Sequence, residues 1–421
     1  MRLKITESKN ARSLYVIKSI YKDGKHTSKI VEKLGTYAEL LKKLNGADPI
    51  AWAHQHIDEL NAALKEENQT ILVPYSTSKQ IRKGEQRSVK GGYLFLAPIY
   101  HALKLDKICK DISEKYKSTF NLNAILSRLI YGRILFPGSK LNTTELSAQL
   151  IEPPDFEIQH VYRALEMISK ETDFIQSEIY QNSLALSKRN KGVLYYDCTN
   201  YFFEIEQEAG LKQYGYSKEH RPNPIVQMGL FMDGDGIPLA FHIDAGNTNE
   251  QITLKPLEKQ ILKDFDISRF VVCTDAGLAS NENRLFNDQS GRAFITTQSV
   301  KKLKAALREW ALSPLGWKLD GTKEQYDISQ LEQTAEMKKK YQDKTFFKEC
   351  RMHDNGLEQR LIVTYSMKPF GTTKVASEEV FDGFYALCTN LGDPVQEIVK
   401  VNQRRWEIEE CFRIMKTEFK A

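Results

Sequence analysis

The segment that most constrains the fold is Val193–Phe203, VLYYDCTNYFF, an apolar and aromatic run of the kind that forms a buried strand. It carries a single charge, Asp197, and a charge buried in such a strand needs a partner, because leaving it unpaired is very costly. The residues that follow predict strands at Ile225–Asp233 and Ile237–Ile243, joined by a hairpin turn at Gly234-Asp235-Gly236. A helix is expected over Thr253–Lys263, then strands at Arg269–Thr274 and Ala293–Thr297. Strand, strand, strand, helix, strand is an antiparallel meander followed by a crossover, the order of an α/β domain.

Upstream, the texture is different. In 121–136, Leu122, Ile125, Leu126, Leu129 and Ile130 share one helix face, and Pro137-Gly138 stops the helix. Further helices near Thr143–Leu150, Val161–Ser169 and Asp173–Lys188 complete an all-α module over 91–190, which is either a small bundle or a DNA-reading helix-turn-helix. Before it, 13–20 and 27–34 flank Lys22-Asp23-Gly24-Lys25 as a hairpin, and a polar helix is expected from Tyr37 to about Glu66. Downstream, 299–380 reads as a β-rich insertion. Phe384–Thr389 reads as a strand and Glu397–Lys420 as one strong helix.

Charge and cysteine usage narrow the class. The chain has 60 basic and 55 acidic residues, and the first 35 residues hold nine basic against three acidic. Such a basic arm suits a polyanion such as nucleic acid, or is a solvated hairpin. Lys79, Arg82, Lys83, Arg87 and Lys90 extend the basic region into a linker. The longest apolar stretch, Gly91–Leu103, is too short to span a bilayer. No leader-like apolar segment opens the chain, and none of the six cysteines forms a CxxC or a zinc spacing. These features predict a reduced cytoplasmic protein without a membrane span.

Three carboxylates are candidates for chemistry. Asp197 interrupts the most apolar strand, and Asp275 stands where another apolar strand ends before Ala276-Gly277. Acidic residues at such places serve as metal ligands, and equally as turn and helix caps. Glu409 lies in RRWEIEECFRIMK, where Ile408, Cys411, Phe412 and Met415 form the buried face and Glu409, Arg413 and Lys416 share another, one turn after Arg405. A face of this kind forms a ladder of salt bridges, or brings its carboxylate to a site with the two aspartates. Three converging carboxylates repel one another, and divalent cations relieve that repulsion.

The ordered blocks YYDCTNYFF, SKEHRPNPIVQMGLFMDGDGIPLAFHIDAGNTNE, VVCTDAGLAS, FDGFYALCTN and RRWEIEECFRIMK resemble those of bacterial insertion-sequence DDE transposases. The branch they most resemble has a β-rich insertion and a Tyr-Arg-Glu-Lys signature. The resemblance implies an RNase H-like catalytic core that uses two Mg²⁺ or Mn²⁺ ions. Carried over residue by residue, Asp197 and Asp275 match the catalytic aspartates and Glu409 the catalytic glutamate, all three as metal ligands. Arg405 and Lys416 match the signature Arg and Lys, and the Tyr position falls on Asn402. Arg405, Arg413 and Lys416, with Lys218 and Arg221 of the SKEHRPN block, are the expected DNA contacts.

The implied architecture is a basic hairpin or arm with linker (1–90), a helical DNA-binding module (91–190), and the first part of the core (191–298). The β-rich insertion (299–380) and the second part of the core (381–421) follow. The implied activity is cutting and joining phosphodiesters at insertion-sequence ends, by a homodimer acting on terminal inverted repeats and target DNA at the bacterial nucleoid. The end at Ala421, inside the expected last helix, raises the reading of a truncated copy that binds DNA without cutting it. A nuclease on the same core is the other alternative.

Overall fold

The computed structural model describes residues 1–8, 11–22, 25–44, 46–67, 78, 80, 83–84, 88–331, 333–354, 356–367 and 380–420, with backbone alone at 19–22, 25–27 and 62–67. Asp23-Gly24 of the expected hairpin turn, the linker basics Lys79, Arg82 and Arg87, and Ala421 lie outside these residues. The chain divides into two compact units, Met1–Arg87 and Ser88–Ala421.

In the first unit the expected hairpin strands belong to a three-stranded sheet. Three antiparallel strands, β1 (Arg2–Ser8), β2 (Ala11–Lys22) and β3 (Lys25–Thr36), lie in the order β1-β2-β3. The expected single polar helix is two, α1 (Tyr37–Lys43) and α2 (Pro49–Glu67). Leu14 of β2 is buried with Leu40 of α1 and Ala53 of α2, and Leu3 and Ile5 of β1 pack against them. Thr36 starts α1 through a capping box with Glu39. Among the described residues, the basic side chains therefore belong to a folded sheet with its own small core.

The second unit begins with helices α3 (Ala97–Ala102), α4 (Leu105–Tyr116), α5 (Leu122–Leu135), α6 (Lys140–Ser147), α7 (Ile158–Lys170) and α8 (Thr172–Ser183). Asn121 and Ser139 cap α5 and α6 by accepting from Ala124 and Asn142 amides. These helices share an apolar core that includes Ile108, Ile112, Ile125 and Val161.

The remaining elements are β4 (Val193–Phe202), β5 (Ile225–Asp233), β6 (Pro238–Ala245), α9 (Glu250–Asp264), β7 (Val271–Thr274), α10 (Asn281–Phe286) and β8 (Ala293–Gln298). They are followed by α11 (Ala305–Leu312), β9 (Trp317–Leu319), β10 (Gln325–Tyr326), α12 (Ala335–Tyr341), β11 (Thr345–Asp354), β12 (Leu357–Ser366), β13 (Phe384–Thr389), α13 (Val395–Gln403) and α14 (Trp406–Arg413). Ten of these strands make one mixed sheet, in the order β10-β9-β11-β12-β13-β8-β7-β4-β5-β6. β4, β5 and β6 are antiparallel, while β4, β7 and β8 run parallel. The inserted strands β9–β12 join this same sheet through β13, and α11 and α12 travel with them.

Helices cover both faces of the sheet's centre, which is why every residue of β5 is buried. On one face Leu194, Tyr196 and Phe231 pack with Leu254, Leu257 and Ile261 of α9. On the other, Tyr195, Cys273 and Ile295 pack with Ile398 of α13 and Ile408 and Phe412 of α14. The free edge at β6 is closed by Gln176 of α8, whose amide nitrogen donates to Phe241 O and whose oxygen accepts from Phe241 N. Among the described residues no helix is long and apolar enough to cross a membrane.

The C-terminal helix is broken where continuity was expected. Backbone bonds from Arg404 N to Val401 O and from Arg405 N to Asn402 O tighten the chain between α13 and α14. The Asn402 side chain is buried there and donates to the Tyr385 hydroxyl at 2.9 Å. After α14 the chain widens into a π-turn over Ile414–Glu418, a departure of the type often found at functional sites.

Candidate active site

Strand register builds the site. The parallel pairing of β4 with β7 sets Val193 beside Val271, Leu194 beside Val272 and Tyr195 beside Cys273. Asp275 follows directly after the last residue of β7, so this register places it near Asp197, and its charge acts on the Asp197 carboxyl. Side chains alternate along a strand, so Asp197 shares the face of Tyr195, and that face is the one α14 covers. The Tyr195 hydroxyl donates to Val401 O at 2.9 Å and ties the strand to the end of α13.

Asp197 is 9% exposed. Burial pushes its carboxyl up to about 6; the Lys218 ammonium opposes this, and the charge of Asp275 adds to it. One Asp197 oxygen accepts from Cys198 N at 2.8 Å. Asp275 is half-buried and caps its own turn by accepting from Leu278 N at 3.0 Å. It thus combines the cap geometry with a place beside Asp197.

Glu409 enters from α14. Its side chain is 59% exposed, and its Oε1 lies 3.2 Å from Arg405 Nη2. Arg405 Nη1 lies 3.9 Å from Asp197 Oδ2, so one guanidinium joins two of the three carboxylates. Arg405 occupies the tight turn between α13 and α14, which aims it back at the sheet.

Among the described residues, Glu409, Arg413 and Lys416 each pair with other partners rather than with one another. Arg413 pairs with Glu410, with contacts of 2.8 and 2.5 Å, and Lys416 pairs with Glu219 at 2.9 Å over the ring of Tyr201. Lys416 lies within the π-turn. Asn402, at the signature Tyr position, is buried under the site and receives a bond from Cys273 Sγ at 3.6 Å. The hydroxyl in this region comes instead from Tyr385, which bonds Asn402 and Thr297.

Lys218 lies closer to the carboxylates than a peripheral backbone contact would. Its ammonium donates to Cys198 O at 2.5 Å and pairs with Glu250 at 3.2 Å, and the neighbouring carboxylates raise its pKa. Glu250, the first residue of α9, is a fourth acidic group at this end of the sheet, and the sequence reading passed over it. Its only local signal is the Asn249 cap that starts the helix. Arg221 lies exposed over the ring of Phe202 at the end of β4.

The loop carrying Lys218 is held by a close backbone approach. A Cβ on Gly215 would stand 1.9 Å from Gly246 O, and one on Gly246 would stand 2.3 Å from Gln213 O and Ile225 O. Only glycine fits either position.

The donor set at this site is entirely carboxylate oxygen, which suits a hard divalent cation such as Mg²⁺ or Mn²⁺. The guanidinium between Asp197 and Glu409 shows that the space accepts positive charge. Among the described residues, no three His, Cys, Asp or Glu side chains are yet gathered closely enough to hold one ion.

A mixed α/β sheet with one acidic residue on a central strand, a second just past the end of its parallel neighbour, and a third on a covering helix defines a class of acid-lined core. The family model of the transposase DDE domain matches residues 201–421, more than half of the chain, and the chain belongs to that family. The match takes in Asp275 and Glu409 and begins just after Asp197. Among solved structures, one that is similar is a piggyBac transposase in a synaptic complex with hairpin DNA, at 10% identity and a TM-score of 0.38. The likeness covers 73% of this chain and 63% of that one, so the chain spans less than two thirds of that transposase's length. No curated protein matches.

Proposed function

We propose that this chain is a DNA transposase of the bacterial insertion-sequence type, with an RNase H-like core that cuts and joins phosphodiesters at element ends. The observation that carries the reading is that the parallel β4–β7 pairing sets Asp275, just past the end of β7, near Asp197, on the face where α14 brings Glu409 and Arg405. The sheet order β6-β5-β4-β7-β8, three antiparallel strands followed by two parallel ones, supports the RNase H-like assignment.

Asp197, Asp275 and Glu409 would hold two Mg²⁺ or Mn²⁺ ions. When bound, such ions stabilise the attacking and leaving oxygens of an in-line phosphoryl displacement. Asp197 supplies negative charge from a central strand and Asp275 from the turn that follows β7, and Glu409 closes the site from the more exposed helix. Arg405 and Arg221 hold phosphates of the DNA backbone, with Arg413 and Lys416 further along the same edge. Lys218 orients Asp197 through its bonds to Cys198 O and Glu250. Terminal inverted repeats and target DNA are the substrates, and the helices of 91–190 together with the basic sheet read the repeats. The protein acts in the cytoplasm as a homodimer on paired ends.

The test is cleavage and strand transfer on DNA carrying the element's ends, with Mg²⁺ or Mn²⁺. Wild type should nick and join, while Asp197→Asn, Asp275→Asn and Glu409→Gln should each abolish both steps and retain DNA binding. Cleavage without joining would favour a nuclease. Binding without any metal-dependent cleavage by wild type would favour a DNA-binding protein that occupies the repeats.

A further inference from the structure

We propose that Arg405 exchanges anions: in the free protein its guanidinium stands between Asp197 and Glu409 as a resident cation, and a DNA phosphate draws it out, so that divalent metal binds tightly only to the DNA-bound chain. The inference rests on the reading of Asp197, Asp275 and Glu409 as metal ligands, and it assigns Arg405 a positioning role beyond a backbone contact.

The geometry supports it in two ways. First, the guanidinium spans two of the three carboxylates at 3.9 and 3.2 Å, so it takes the place and the sign of a metal ion. Second, Arg405 is poorly satisfied where it sits. Its contact with Asp197 is long, and its buried Nε has no hydrogen-bond partner. A phosphate accepting a pair of parallel N–H bonds offers this fork a better match.

The other cations nearby are committed elsewhere, Lys218 to Cys198 O and Glu250, Lys416 to Glu219 and Arg413 to Glu410. Arg405 stands on a backbone fixed by the turn between α13 and α14, so the exchange needs only a change of side-chain rotamer. Glu409 is exposed enough to turn towards the aspartates once released.

Two ligands that compete with and relieve the same arginine must be coupled, each strengthening the other by the same factor. The experiment is a Mn²⁺ titration of the full chain, following free Mn²⁺ by electron paramagnetic resonance, with and without a short mixed-sequence DNA duplex. The same titration on the Asp197→Asn complex subtracts ions bound by the DNA itself. The expected result is a Mn²⁺ affinity about 10-fold higher on the complex than on the free protein, within the usual range of coupling between sites. Arg405→Gln should raise the affinity of the free protein by a similar factor and remove the dependence on DNA. Arg405→Lys, which keeps the charge but cannot span both carboxylates, should fall between the two.

Equal Mn²⁺ affinity of wild type with and without DNA would overturn the exchange while leaving the metal site standing. So would an unchanged free-protein affinity in a folded Arg405→Gln variant. Mn²⁺ binding that survives Asp197→Asn undiminished would overturn the metal-ligand reading and the exchange with it.

Discussion

Burying a carboxylate before its metal arrives costs stability, and Asp197 carries that cost. Its carboxyl is raised from 3.8 to about 6 in the folded chain, chiefly by burial. A group raised on folding adds stability below its unfolded pKa and loses that contribution as pH rises through the folded value. At about 1.4 kcal/mol per pKa unit, Asp197 costs the protein without metal about 3 kcal/mol above pH ~6. Asp197→Asn should therefore melt at a higher temperature than wild type at pH 8 without divalent metal, and the gain should vanish near pH 4. Calorimetry at the two pH values checks this, and an equal or lower melting temperature at pH 8 would contradict it. The same residue shows what was legible in the sequence. A lone acid in VLYYDCTNYFF advertises itself, and so does Asp275 at the end of RFVVCT. Glu250 and the true place of Lys218 were not legible, because a loop brings them together across segments that no periodicity links.

At the scale of elements, that loop depends on two glycines. Gly215 and Gly246 let the backbones of 213–215 and 246 approach, and this approach fixes the segment that presents Lys218. Gly215→Ala should cost about 1–3 kcal/mol, the usual price of forced overpacking. It should also lower cleavage activity more than Leu211→Ala, a change to an exposed side chain on the same loop. Equal activity of the two variants would reject the positioning role of the loop. The break between α13 and α14 has a similar lesson. Ile398 before the break and Ile408 and Phe412 after it are buried in the same apolar cluster. The tight turn and the following π-turn arise from tertiary bonds, such as that from Asn402 to Tyr385, which a one-dimensional pattern does not carry. β1 was legible and missed: Leu3 and Ile5 alternate with polar residues, but the run is short and charged.

At the scale of the molecule, charge and core divide differently. The basic excess of the first 35 residues sits on a folded unit, Met1–Arg87, whose buried cluster, among the described residues, draws on its own residues. Among the described residues, the apolar clusters of Ser88–Ala421 are built from that unit's own residues. Deleting 1–87, rather than the first 35 residues alone, should leave a folded core. It should weaken DNA binding and flatten its salt dependence, each lost phosphate contact removing a slope of about 0.9. A salt titration of affinity for the two proteins measures this, and an unchanged slope would assign recognition to the helices of the second unit. The sequence foretold a meander followed by a crossover. It did not foretell that the inserted strands would extend the same sheet to ten, because pairing of β13 with β8 and β12 joins segments distant in the chain.

The central claim is that Asp197, Asp275 and Glu409 form one metal site. The most direct measurement is anomalous diffraction at the manganese edge from crystals of the full chain with DNA and Mn²⁺. The account predicts manganese density touching all three carboxylates, with Arg405 moved onto a phosphate. Manganese bound elsewhere, or density at the two aspartates with Glu409 turned to solvent, would contradict it.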